Sequence, residues 1–167
     1  MKGFKCRGWS PDLKTWVYGA YYEHCTCAVC FSNEDKPEYH QTKIVFEQIQ
    51  DWNFPYRTLV ADVIPESVGA FAGCRLDGIE VYEGDVIVYD VGLQYYGLVK
   101  YGRYSDTHMG FYIDWHEKSL LKNDILYWME YPRAMDENGH VYEEVKIVGN
   151  IYENPELEEK VYGEDKE

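Results

Sequence analysis

The sequence lacks a long apolar run, and it is short of basic residues. No segment approaches the roughly 20 consecutive apolar residues that a membrane-spanning helix needs, so no such helix is predicted. Lys and Arg number 16 against 30 Asp and Glu, which gives a formal net charge of −14. Proteins that bind nucleic-acid phosphates or anionic membranes rely on clusters of Lys and Arg. We therefore expect neither nucleic acid nor a membrane as a direct partner.

Recognisable catalytic motifs are also missing. The chain has no serine elbow, no phosphate-binding loop and no dinucleotide fingerprint. His108, His116 and His140 stand in or near predicted loops without the partners of a catalytic triad. The sequence therefore predicts no catalytic residue and no cofactor, and it argues against an enzyme.

Three acidic residues around one predicted turn are the feature of the sequence that most resembles a catalytic pair. Glu80, Glu83 and Asp85 lie close enough together to be drawn as the acid and base of a hydrolase. Acidic residues beside glycine, however, are typical turn formers and solvated charges. We expect these three side chains to serve the turn rather than a reaction.

Five cysteines make an odd number, and in a reducing compartment disulfides are not the default. The best chemical candidate is the run His24, Cys25, Cys27 and Cys30, because thiolates and imidazole are zinc ligands and four complete a tetrahedral site. His40 could supply a ligand from beyond the next loop. The spacing C-x-C-x-x-C differs from that of zinc ribbons. The alternative is that these cysteines are small buried hydrophobes.

Closely spaced short strands are predicted between residues 68 and 101. Asp77-Gly78 is a turn signal, and residues 79–82 alternate between apolar and polar side chains. Residues 86–89 are β-branched and aromatic, as in a buried strand. Glycine-punctuated strands at this spacing favour a small antiparallel barrel or a strongly bent sheet.

The rest of the chain is also predicted to be mainly β, with at most short helices. A hairpin is predicted from residues 4–9 and 15–22, and residues 41–50 are strand-like with an alternative helical pattern. Residues 65–68 suit one helical turn, whereas residues 119–129 fit either a helix or a buried strand. Further strands are predicted at 57–63, 98–101, 111–115 and 141–151.

Three regions follow from these patterns. Residues 1–64 form a β-hairpin region, and residues 65–153 form a barrel-like unit that shares its core with the first region. Residues 154–167 form an acidic tail that is predicted to be disordered. The basic start of the chain is not followed by a hydrophobic region, so we expect no secretory signal and a cytoplasmic location.

Three blocks of sequence belong together. The central block is Gly73 and Asp77-Gly78 followed by residues 79–86, and the first is Arg7-Gly8-Trp9 with residues 14–19. The last and most specific block is residues 145–157, which no local pattern explains. In this order the three blocks resemble the YopX family of phage and prophage proteins. The resemblance implies a mainly β fold with an SH3-like or strongly bent unit, an origin in a mobile element of a bacterial host, and a function that the family leaves open.

The expected function is that of a non-enzymatic accessory protein that works through protein–protein contacts. The chain has 17 Tyr and five Trp, and such residues are enriched at interfaces. We expect a homo-oligomer, with a host or phage protein as a further partner. Two alternatives remain: an acidic decoy of a host nucleic-acid-binding protein, or a zinc-binding module that uses the cysteine run.

Overall fold

A computed structural model of the protein describes residues 4–27, 34–48, 57–115, 121–129, 134–135, 137–139 and 141–163. The chain divides into two compact units, Met1–Phe71 and Ala72–Glu167. The first unit has seven Lys and Arg against nine Asp and Glu, a net charge of −2. The second has nine against 21, a net charge of −12. The acidity of the chain therefore belongs to the second unit.

The first unit is built on antiparallel strands in the order β4-β3-β2-β1. Two short 3-10 turns, Pro37–Tyr39 and Pro65–Ser67, begin with proline, whose fixed φ suits the first position of a helical turn. A fifth strand, β5, starts in this unit by pairing with β1 and runs on into the second unit. The strands are β1 (Cys6–Ser10), β2 (Thr15–Cys25), β3 (His40–Gln48), β4 (Arg57–Asp62) and β5 (Gly69–Leu76).

Most of the predicted elements of this unit are confirmed. The hairpin is β1 and β2, and the ambiguous segment 41–50 is a strand rather than a helix as far as residue 48. The helical turn at 65–68 is present as well. Strand β5 was not predicted, because Gly69 and Gly73 interrupt its apolar pattern and glycine usually weakens a strand.

A small apolar core lies on one face of this sheet. It consists of Val17, Ile44, Ala61 and Val63, all buried. Val17 lies on β2, and Ile44 and Ala61 are direct cross-strand partners on β3 and β4. Because side chains alternate along a strand, the neighbouring residues of β2 point to the opposite face.

The second unit contains an antiparallel five-stranded sheet in the order β10-β11-β7-β8-β9. Asp77 and Gly78 both have positive φ and form the predicted turn between β5 and β6. The elements are β6 (Ile79–Tyr82), β7 (Asp85–Asp90), β8 (Gln94–Arg103), β9 (Met109–Trp115), α1 (Ile125–Met129), β10 (Ala134–Met135), β11 (Val141–Asn150) and α2 (Glu156–Tyr162).

Both faces of this sheet are covered. On one face Ile87, Val99 and Ile113 pack with Trp128 of α1 in the larger core. On the other face, Leu98 and its strand neighbours pack against buried residues of α2. A sheet covered on both faces has apolar residues on successive positions, which explains the continuous β-branched run of β7.

The predicted mainly β class with short helices is confirmed. In the part of the chain that is described, β9 and β10 are the two edges of an open five-stranded sheet, so the predicted barrel-like unit is not a closed barrel. The ambiguous segment 119–129 contains the one-turn helix α1. No helix within the described ranges combines the length and the apolar character that crossing a membrane demands.

The prediction of a disordered acidic tail is wrong for Glu156–Tyr162, which is helix α2. Leu157 and Val161, four residues apart, are both buried on the face that meets the sheet. The acids lie on the other positions, and the acidic residues of the first turn interact favourably with the helix dipole. The high charge of the segment led to the prediction of disorder, although its apolar residues have the spacing of an amphipathic helix.

Candidate interaction surface

The face of β2 that points away from the small core carries a row of large aromatic side chains. Trp16, Tyr18 and Tyr22 occupy alternate positions of the strand and therefore share this face. Tyr18 is 47% exposed and Tyr22 is 42% exposed. Trp9 of β1 lies opposite Trp16, and their rings meet edge to face at 5.9 Å. We call these four residues the aromatic face.

Two cations hold the rings of the aromatic face in place. The Arg7 guanidinium carbon lies 4.9 Å from the centre of the Trp16 ring, and Arg7 itself is buried. The Lys5 ammonium lies 5.8 Å from the Tyr18 ring. Cations over aromatic faces are attracted by the negative charge of the π system. These contacts favour one orientation of the Trp16 and Tyr18 rings, which lowers the entropy cost of binding.

The aromatic face continues toward β4 as a row of smaller apolar side chains. Ala20 lies opposite Val45, and Val45 lies opposite Val60. Val60 is 57% exposed although it is a β-branched residue in a strand. Beside this row the Lys43 ammonium contacts the Asp62 carboxylate. The solvent face of the unit is therefore aromatic at one side and aliphatic at the other.

The predicted zinc ligands are not gathered around one point. Cys25 and His40 are direct partners on β2 and β3, whereas His24 belongs to the opposite face and bonds the Tyr22 hydroxyl at 2.7 Å. Cys27 follows the strand, and its carbonyl accepts the Cys25 thiol at 2.9 Å. Cys30 lies outside the described residues. Among the residues that are described, no three His, Cys, Asp or Glu side chains form a metal-binding group.

The alternative prediction, that these cysteines are buried, is wrong for part of this run. Cys25 and Cys27 are both exposed. The strand ends here, at the edge of the unit, where the small core no longer covers the chain. Buried cysteine is instead found at Cys6 on β1.

His40 is held between two carboxylates. Its Nε2 lies 2.7 Å from Asp35 Oδ1, and its Nδ1 lies 2.9 Å from Glu23 Oε1. The hydrogen bond to Asp35 is the main cause of a raised pKa for His40, because it stabilises the imidazolium. The two acids approach opposite ring nitrogens, so they cannot chelate one metal ion together with this histidine. The cluster is an ion-pair network that ties β3 to β2 and to the loop between them.

The pH dependence of this network gives a testable prediction. Because the pKa of His40 is raised above 6.5, its stabilising contribution is complete below pH 6.5 and is lost as the pH rises through the higher folded value. We expect His40→Gln to remove this part of the pH dependence of urea unfolding. His108→Gln is the matched control, since that ring bonds the hydroxyls of Ser105 and Thr107 rather than carboxylates. Equal pH profiles for His40→Gln and the wild type would contradict the prediction.

The three acids around the second turn make structural contacts. Asp85 is 2% exposed, and its Oδ2 accepts the Tyr82 N–H at 2.8 Å. Glu80 accepts the Tyr82 hydroxyl at 2.7 Å and Arg75 at 3.0 Å. Glu83 accepts a backbone N–H of β8 at 3.3 Å. These contacts agree with the expectation that the acids serve the turn.

A second polar cluster, which the sequence did not reveal, fixes α2 on the sheet. Lys100 Nζ lies 2.7 Å from Asp114 Oδ2, and the Tyr162 hydroxyl donates to the same oxygen at 3.1 Å. Burial opposes the charge on Lys100, but the bonds to Asp114 and Tyr162 outweigh it and raise the pKa of Lys100. Burial also raises the pKa of the Tyr162 hydroxyl. These residues lie on three elements, so only the tertiary structure brings them together.

The C-terminal block, residues 145–157, forms the corner between β11 and α2. Asn150 is buried, and its Oδ1 accepts the backbone N–H groups of Tyr152 at 3.1 Å and Glu153 at 2.9 Å. A Cβ at Gly149 would lie 2.6 Å from Asn154 Oδ1. The block therefore builds the turn that returns the chain onto the sheet.

Comparison with known families places most of the chain in one family model. The model described as YopX protein matches residues 5–159, which cover most of each unit. None of the curated proteins matches the chain.

Proposed function

Since this chain belongs to the YopX protein family, we propose that it is a phage-derived accessory protein that acts through protein–protein contacts and without catalysis. Its place of action in this proposal is the cytoplasm of a bacterial host. The observation that carries the proposal is the aromatic face, where Tyr18 and Tyr22 are exposed beside Trp16. A host or phage protein is its partner there.

The composition of the aromatic face fits protein recognition. Trp, Tyr and Arg are the residues most enriched at the energetic centres of protein interfaces. Here Arg7 is buried under Trp16, so its charge supports the ring instead of meeting a partner directly. The first unit has a net charge of only −2, so an approaching protein meets little general repulsion.

Substitution of the exposed tyrosines tests this proposal. The protein is immobilised, used to capture proteins from a lysate of the phage-bearing host, and the affinity of each captured protein is then measured with purified components. We expect Tyr18→Ser combined with Tyr22→Ser to weaken the partner's binding by at least about tenfold, because truncating a central interface residue commonly costs more than 1 kcal/mol.

The matched control is Tyr101→Ser combined with Tyr127→Ser, which removes two exposed tyrosines from the second unit. This control is expected to bind like the wild type. Equal loss in both double variants would contradict a role for the aromatic face. The proposed function itself would be contradicted if no captured protein bound this chain once both proteins were purified.

A second candidate function is that of an acidic decoy for a basic, nucleic-acid-binding host protein. The observation that favours it is the net charge of −12 on the second unit. Binding through such a surface is steered by long-range attraction and weakens as salt is added. The same capture, repeated at high salt, separates the two candidates: a decoy loses its partner, whereas an aromatic contact is retained.

A further inference from the structure

We propose that the outer edge of β4 pairs with β4 of a second copy of this chain, which forms a two-fold symmetric antiparallel ribbon centred on Val60. This inference goes beyond the proposed function, because it assigns a separate surface and requires no other protein. It gives the predicted homo-oligomer a defined interface.

The outer edge of β4 presents its backbone to solvent. In an antiparallel sheet, each residue turns its N–H and C=O to the same side, and successive residues alternate. Val63 donates to Thr42 of β3 at 3.1 Å, and Ile64 is turned the other way and donates to Trp9 at 3.0 Å. The alternation therefore directs the backbone groups of Thr58, Val60 and Asp62 away from β3. Within the described ranges, β4 pairs with β3 alone.

Among the described residues, this edge lacks three of the usual devices against pairing, namely lysine, proline and a bulge. Natural edge strands are shielded by lysine, proline, bulges or very short length. Strand β4 reads Arg-Thr-Leu-Val-Ala-Asp and contains neither Lys nor Pro. Its register with β3 is continuous from Lys43↔Asp62 to Gln48↔Arg57, so it has no bulge. Val60 at its centre is 57% exposed. An edge of this kind is a template for strand addition.

The edge is complementary to a second copy of itself. A two-fold axis normal to the sheet keeps each side chain on its own face. Such an axis must therefore lie midway between one residue and the same residue of the second copy. An axis at Val60 places Val60 against Val60 of the second copy and Thr58 against Asp62 of that copy. All three outward-facing residues are then used. Pairing stops at Asp62 because the next outward group, on Ile64, already bonds Trp9.

Side chains agree with this register. The apolar row of Ala20, Val45 and Val60 ends at the outer edge of β4. Pairing at Val60 therefore places this row next to the same row of the second copy. The hydroxyl of Thr58 faces a carboxylate that can accept it. The small net charge of the unit, −2, opposes the pairing only weakly. A different protein would need its own matching strand, whereas a second copy supplies the match by symmetry.

The experiment uses the purified full chain in sedimentation velocity or light scattering over a range of concentrations. We expect a monomer–dimer equilibrium, and Val60→Lys is expected to weaken it at least about tenfold, because two like charges would directly oppose each other at the axis. Val148→Lys is the matched control, since it places the same substitution on an exposed valine of β11, a strand outside the proposed interface. A monomer at every concentration, or a dimer unchanged by Val60→Lys, overturns the proposal.

A pair of variants at Thr58 tests the register and keeps the proposal falsifiable if Val60→Lys fails to fold. Thr58→Glu puts a negative charge opposite Asp62 of the second copy at both ends of the ribbon and should weaken dimerisation about tenfold. Thr58→Lys puts a positive charge there and should leave the dimer as tight or tighter. The side chain of Thr58 is exposed, so both variants are expected to fold. Equal effects of the two substitutions overturn the register.

Discussion

Replacing Gly19 with alanine is expected to lower the free energy of unfolding of the first unit by about 3 kcal/mol, the upper part of the usual range for overpacking. A Cβ at this position would lie 2.0 Å from the Val45 carbonyl oxygen and 3.0 Å from Ile44 Cγ2. The nearest atom belongs to the backbone of β3, so it cannot move aside as a flexible side chain does. Strands β2 and β3 would have to separate where the core begins.

Urea unfolding followed by tryptophan fluorescence measures this loss, and hydrogen exchange of the β2 and β3 amides shows where it occurs. Gly110→Ala is the matched control, because a Cβ at Gly110 meets no atom within 4 Å and its backbone has no positive φ. The control should be neutral or slightly stabilising, since alanine restricts the unfolded chain. A Gly19→Ala protein as stable as the control would mean that the close approach of β2 and β3 is not needed.

The second large effect is expected for Asn150→Ala, with a loss of about 2–3 kcal/mol in the second unit, because removing an acceptor leaves buried or half-buried donors without a partner. Oδ1 of Asn150 bonds the N–H groups of Tyr152 and Glu153, and its Nδ2 donates to Glu153 Oε2 at 2.6 Å. Without these bonds the corner loosens, and α2 loses the support that holds Leu157 against the sheet.

Faster hydrogen exchange in residues 156–162, together with a lower urea midpoint, is the expected observation for Asn150→Ala. Gln41→Ala is the control, because it removes an amide from an exposed position of β3. If residues 156–162 exchange at the wild-type rate in Asn150→Ala, then the helix is held by its apolar contacts alone, and the role assigned to the corner is wrong.

Much of the fold follows from local sequence patterns. Aromatic and β-branched residues predicted β1 and β2, and the Asp77-Gly78 turn was predicted from the ability of those residues to adopt positive φ. These signals are reliable because they depend on neighbours in the chain. Strand β5 was missed because glycine has no side chain to reveal a pattern, and pairing with β1 determines its conformation.

The surface could be predicted only in part. The number of tyrosines indicated an interface, but the sequence did not show which of them are exposed. Tyr82 is buried, whereas Tyr18 is not, although both lie in strands rich in apolar residues. The difference depends on which elements cover each face of the sheet. The supposed zinc ligands separated for a related reason: adjacent residues of a strand point to opposite faces, so His24 and Cys25 diverge.

By itself the sequence determined the β class, the positions of the turns and the family, because each of these depends on local patterns or on the order of residues. Only the tertiary structure decided which rings face solvent, that the acidic C-terminal segment is a docked helix, and that β4 has an open edge. Those properties depend on contacts between residues far apart in the chain, such as Leu98 with Leu157. Burial and strand pairing are properties of the assembled sheet, and no single segment contains them.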